Sequence, residues 1–206
     1  MDSPFLRPDS IEYADVLTDA TVHVLGARGI DRFSVRAIAR WMRVVPSTVL
    51  GEFSRARVLE LVCISWEDRW LQWSASESVW GTSPASVPLR LPADEDEKLG
   101  VRVHHALLLL AQAELLRGNG ALKCHLDRLH QKELALLRLR MRSRCCGVEP
   151  PAEAAHAVLA LATGLRLVLA NDLAGAARPE AVDVLAQHVA VMTAHTAECA
   201  GARLAS

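Results

Sequence analysis

Ser34 to Phe53 reads SVRAIARWMRVVPSTVLGEF, two short apolar periods split by a polar break. Val35, Ile38, Ala39 and Met42 recur at i, i+3, i+4 and i+7, as one face of a helix should. Past Arg43 and Val44 the pattern restarts, with Val45, Val49 and Phe53 spaced by four. Helices that short do not hold together alone, because nucleating a helix costs more than one or two turns return. Packed on a third helix they become stable, and the outer face of the second is free to enter a DNA major groove. The spacing predicts a helix-turn-helix module.

The flanks agree with that reading. Asp9 and Glu12 fit a capping box at the start of a first helix, and Tyr13, Leu17, Ala20 and Val24 give it a buried stripe. Gly26 and Gly29 are expected to end it. Ser34 is placed to cap the second helix, and Pro46 sits in the first turn of the third, where a missing N–H does no harm. Between Ala27 and Arg57 the cations Arg28, Arg32, Arg36, Arg40, Arg43, Arg55 and Arg57 face only Asp31 and Glu52. Such a local excess suits phosphates, although the whole chain carries a formal charge of only −1 and is not coated in basic surface.

The 206 residues are 51% apolar, which argues for a large core and against global disorder. Leucine and alanine dominate and no alternating β-branched run occurs, so the expected class is all-α. A fourth helix is expected from Arg55 to Trp80, then a flexible connection, GTSPASVPLRLP. Asp94 to Glu97 are carboxylates at the start of a fifth helix, where the helix dipole favours them. That helix should run to Arg117 and stop at Gly118-Asn119-Gly120. Leu122 to Cys145 reads as a sixth, with room for an internal break. Ala152 to Leu169 is apolar on almost every side, predicting burial from several directions, with Gly164 allowing close helix approach. A last helix is expected from Pro179 to Glu198.

Five cysteines at irregular spacing read as free thiols of a cytosolic protein. MDSPFLRPDS has no signal-peptide core, and LGVRVHHALLLLAQAELL, the nearest approach to a membrane span, is interrupted by Arg102, His104, His105, Gln112 and Glu114. No glycine-rich phosphate loop, GxSxG, HExxH or CxxC occurs, so no enzyme and no cofactor is expected. His188, His195 and Cys199 share a helix face but make too thin a ligand set to predict a metal.

With these elements in place, the chain resembles the TetR family (tetracycline-repressor-like regulators). The resemblance rests on VLGARGIDRFSVRAIARWMRV, PSTV, Phe53 and Leu59, and on ALATGLRLVLANDL with its Pro-started last helix. It implies an N-terminal three-helix DNA-binding unit, residues 1–55, and a helical effector-binding and dimerisation domain, residues 56–206. It also implies a homodimer formed through the last two helices, a near-palindromic operator on double-stranded DNA and a small, largely hydrophobic effector. Membranes are not among the expected partners.

Carried over residue by residue, the DNA contacts are Ser34, Arg36, Arg43, Pro46, Ser47, Thr48, Leu50, Arg55 and Arg57. Several depart from the family's pattern. Met42 and Arg43 replace a small residue and glycine at the turn, and a left-handed residue other than glycine costs about 1 kcal/mol. Val45 replaces the usual Ser/Thr cap, Leu50 the phosphate-contacting tyrosine, Glu52 a histidine and Ala56 a lysine. Two functions follow: a regulator with relocated contacts, or a ligand-sensing or interaction protein whose DNA binding is weakened or lost. For the effector, Trp66, Trp70 and Trp73 form a stripe at i, i+4 and i+7, a pattern found more often in core packing than in a ligand cage. His104, Leu108, Gln112, Cys124 and His125 complete the set, as a mostly apolar pocket with a few polar groups requires.

Overall fold

The computed structural model describes residues 11–50, 54–76, 89–144, 149–172 and 177–204. Among these, every regular element is a helix: α1 (Ile11–Arg28), α2 (Val35–Trp41), α3 (Pro46–Leu50), α4 (Arg55–Ala75), α5 (Glu95–Leu116), α6 (Ala121–Arg144), α7 (Ala152–Asn171) and α8 (Arg178–Leu204), with a 3-10 turn at Ile30–Arg32. Two compact units share these helices. One takes α1–α3, α4 as far as Trp70, and Arg102–Leu129; the other takes Leu71–Val101 and the chain from His130 onward.

In the first unit, α2 packs between α1 and α3. Leu17, Ala20, Val24, Phe33, Val35, Ile38, Ala39 and Val49 are buried there. Removing such side chains from water is the main stabilising term for a module this small. Ser34 caps α2, its Oγ accepting from the Ala37 N–H at 3.2 Å. Ser54, which the sequence reading passed over, does the same for α4 by accepting from the Arg57 N–H at 3.2 Å. Each cap satisfies a donor that the first turn of a helix leaves without a partner.

The second unit has its own core. Leu134, Leu137 and Met141 of α6 meet Ala155, Val158, Leu159, Ala162 and Leu169 of α7 and Val182, Leu185 and Val189 of α8. Leu89 and Leu91 join it from the segment before α5.

Several expectations are corrected. Gly26 lies inside α1, and Gly29 alone ends it, at φ 70°. Backbone hydrogen bonding carries the helix through Gly26 because a single glycine weakens a helix without breaking it. α6 is unbroken. α7 is not buried on every side: Val168 is exposed and the space around Gly164 is open. By length and composition, α5 and α7 are both apolar enough to cross a membrane, where the sequence reading found no such stretch. Both contribute buried residues to helical cores, and α7 carries a buried arginine.

The expected flexible connection is pinned where it is described. Leu89, Leu91 and Pro92 are buried, and arginines of α7 and α8 donate to its carbonyls, Arg166 Nε to Arg90 O at 2.9 Å and Arg178 Nε to Pro92 O at 3.1 Å. α4 ends at Ala75, short of the expected Trp80, where the Ser76 hydroxyl turns back to donate to Trp73 O at 2.6 Å and competes with the helical pattern. The cap expected at Asp9, and Phe53 and Glu52, lie outside the described residues.

Candidate functional site

The helix pair α2–α3 presents one buried face and one exposed one. Arg36, Arg40 and Arg43 are exposed, as are Val45, Pro46 and Ser47 at the head of α3. Arg43 occupies the turn at φ 57°, the one non-glycine residue in that region among those described. Its N–H donates to Arg40 O at 3.2 Å and the Val44 N–H to Ala39 O at 3.0 Å, so hydrogen bonds on either side hold the strained turn. Val45 departs from its predicted place. It is 63% exposed, while Val49 is fully buried. A spacing of four buries both only if the helix includes both, and α3 begins at Pro46.

The module is anchored to α4 through α1. Ser65 Oγ donates to Asp15 Oδ1 at 2.8 Å, and Arg69 bonds Asp19 at 2.5 Å. Arg57 is exposed but engaged, with its Nη1 2.8 Å from Glu60 Oε2. Glu60 also lies 3.6 Å from His125 Nε2. The Arg57 hydrogen bond, outweighing partial burial, holds the Glu60 carboxyl below its ordinary range. Ser34 spends its hydroxyl as an acceptor within the cap. The side chains of Thr48, Leu50 and Arg55 lie outside those described.

Of the residues proposed for an effector, the fold brings three together in the first unit. Trp66 and Trp70 are buried one turn apart on α4, ring centroids 6.3 Å apart. His104 of α5 stacks on Trp70 at 3.8 Å between centroids, with planes 8° from parallel. Trp66 Nε1 donates to His104 Nδ1 at 3.3 Å. Leu108, Gln112 and Cys124 are exposed, so they do not share that buried setting. His125 is half-buried between Glu60 and Arg128, whose Nη2 is 2.6 Å from His125 Nδ1.

Trp73 belongs to the second unit, beside a network that the sequence reading missed. Arg166 of α7, 2% exposed, stands over the Trp73 ring at 5.0 Å. Its Nη1 donates to Glu133 Oε1 at 2.6 Å and its Nη2 to Ser74 Oγ at 3.2 Å. Ser74 Oγ in turn donates to Glu133 Oε1 at 2.6 Å. A buried guanidinium stands only when carboxylate and hydroxyl partners replace the water it loses. The available signal was an arginine inside ALATGLRLVLA, an otherwise apolar helix. Among the described residues, no group of three or more His, Cys, Asp or Glu side chains is arranged to hold a metal.

Comparison with known proteins completes the picture. No family sequence model and no curated protein matches the chain. Solved structures do. A transcriptional regulator from Rhodococcus sp. Rha1 superposes with a TM-score of 0.66 at 21% identity, covering 87% of this chain and 95% of that one. A Rhodococcus protein assigned to the TetR family of transcriptional regulators gives 0.67 at 19% identity, covering 89% and 100%. The chain has the TetR-family fold. A third match, assigned as a transcriptional regulator of Pseudomonas aeruginosa PAO1, has a TM-score of 0.61 at 17% identity and covers 94% and 95%. α2 and α3 are the helix-turn-helix pair that the sequence predicts. This fold was expected from Ser34–Phe53 and the last two helices.

Proposed function

We propose that the protein is a homodimeric transcriptional regulator whose residues 1–55 read a near-palindromic operator and whose residues 56–206 dimerise and bind a small, largely hydrophobic effector. The observation that carries the reading is the two-faced helix pair. Its inner face is closed by Val35, Ile38, Ala39 and Val49, and its outer side exposes Arg36, Arg40, Arg43, Pro46 and Ser47. Arginines of this kind position a protein on phosphates, while the head of the recognition helix meets base edges. That the solved structures of like fold are assigned as transcriptional regulators supports it.

Dimerisation is supported by α7 and α8, which pack on each other. They leave Val168, Val184 and Val191 exposed at 57%, 48% and 65%, with open space around Gly164. Apolar side chains beside a glycine suit the close approach of a second copy's helices. Two reading heads would then lie about 34–36 Å apart, matching successive major grooves. An effector that enters among Trp66, Trp70 and His104 would act on α4, the helix that follows the reading head. It can shift the operator equilibrium only by the difference in its affinity for the two shapes.

The pairing of Arg57 with Glu60 favours the second reading, a ligand-sensing or interaction protein whose DNA binding is weakened or lost, because it occupies a cation otherwise suited to a phosphate. Selection of duplexes from genomic fragments separates the two. A regulator enriches a small set of related sequences, and Arg43→Ala or Arg36→Ala weakens binding to them in a salt-controlled gel shift. A sensor enriches none.

A further inference from the structure

We propose that Val45 reads the 5-methyl group of a thymine, so that the preferred operator carries a thymine at one defined position in each half-site. The inference rests on the DNA-binding reading above. Val45 directly precedes α3 and is 63% exposed, whereas Val49, four residues on, is fully buried. Val45, one residue outside the helix, thus leaves the buried face that Val49 belongs to and stands at the helix's tip. Elsewhere a single exposed valine means nothing. At the head of a recognition helix it stands where base edges are met.

The chemistry narrows what that tip can read. A valine side chain has neither donor nor acceptor, and Pro46 beside it has no N–H to offer. Val45 and Pro46 therefore cannot exchange side-chain hydrogen bonds with the amino, keto or ring-nitrogen groups of a major-groove edge. Thymine alone presents a methyl group there, and apolar contact withdraws both surfaces from water. The Arg43 turn, held at φ 57° by flanking backbone hydrogen bonds, fixes the chain that delivers Val45.

The test uses the full chain and a duplex selected from a random pool. Each thymine of the duplex is replaced singly by deoxyuridine, which removes the methyl and leaves pairing intact, and affinity is read by fluorescence anisotropy at fixed salt. At one thymine per half-site the replacement should weaken wild-type binding about three- to fivefold, the worth of one methyl group withdrawn from water. The same replacement should have no effect in Val45→Ser. If serine binds too weakly to titrate, Val45→Ala supplies the comparison, with the deoxyuridine effect reduced. A selected duplex that tolerates every replacement, or whose sensitive thymine stays equally sensitive in both variants, overturns the inference while leaving the regulator reading standing. A pool that yields no preferred sequence overturns both.

Discussion

Trp70 and His104 lie face to face, ring centroids 3.8 Å apart and planes 8° from parallel. Trp66 donates its indole N–H to Nδ1 of the same imidazole at 3.3 Å, so that nitrogen accepts. Stacking contributes about 0.5–1.5 kcal/mol, and leaving the N–H of buried Trp66 without an acceptor costs about 1–3 kcal/mol. His104→Ala should therefore destabilise by about 2–4 kcal/mol in urea unfolding. His104→Phe keeps a ring on Trp70 but gives Trp66 no acceptor, so it should recover only part of that loss. A phenylalanine variant as stable as wild type would show that the hydrogen bond contributes nothing.

Arg43 holds a conformation that glycine adopts without strain. Arg43→Gly should raise stability by up to about 1 kcal/mol, because the relief of left-handed strain exceeds the added freedom of the unfolded chain. The same variant should bind the selected operator more weakly, since the guanidinium is gone. Chemical denaturation and gel shift, run on one preparation, check both signs.

The Arg166–Glu133 pair is a buried ion pair closed by Ser74. Arg166→Met alone leaves the Glu133 carboxylate buried without its cation and should cost about 3–5 kcal/mol. Adding Glu133→Leu should restore part of the stability, so that the double variant is more stable than Arg166→Met. A single variant within about 1 kcal/mol of wild type, measured by denaturant unfolding, would contradict the reading of the pair as a closed network.

Cys63 and Cys124 should differ sharply in reactivity. Burial, with a smaller contribution from the Glu67 charge, pushes the Cys63 thiol from its ordinary 9.0 up to about 12. Cys124 is exposed. The thiolate is the reactive form, so iodoacetamide at pH 8 should modify Cys124 and spare Cys63 until the protein unfolds, as peptide mass mapping will read. The sign of the linkage follows. A raised folded value stabilises fully below pH 9, and that contribution is lost as pH climbs from about 9 towards about 12.

Local signals carried most of the helix boundaries into the sequence. Ser34 before an apolar period and Pro46 at a helix start each act on their own neighbours, and each lies where it was read. Apart from Gly26 and Val45, what failed depended on partners far along the chain. Val45 matched the spacing of Val49, yet only the start of α3 decides that it protrudes. Leu89–Pro92 looked like loose connection because the arginines that pin it come from α7 and α8. The His104–Trp70 stack and the Arg166–Glu133 pair likewise join residues 34 and 33 positions apart. Composition names such residues but does not pair them.

Operator affinity across a salt series tests the central claim most directly. The selected duplex and a scrambled one of equal length and composition should be titrated with the full chain from low to physiological salt. A regulator holds the selected duplex at least about a thousandfold more tightly, with two chains per duplex, and both affinities fall steeply as salt rises. Equal affinity for the two duplexes at every salt concentration, or binding by a single chain, would contradict the account.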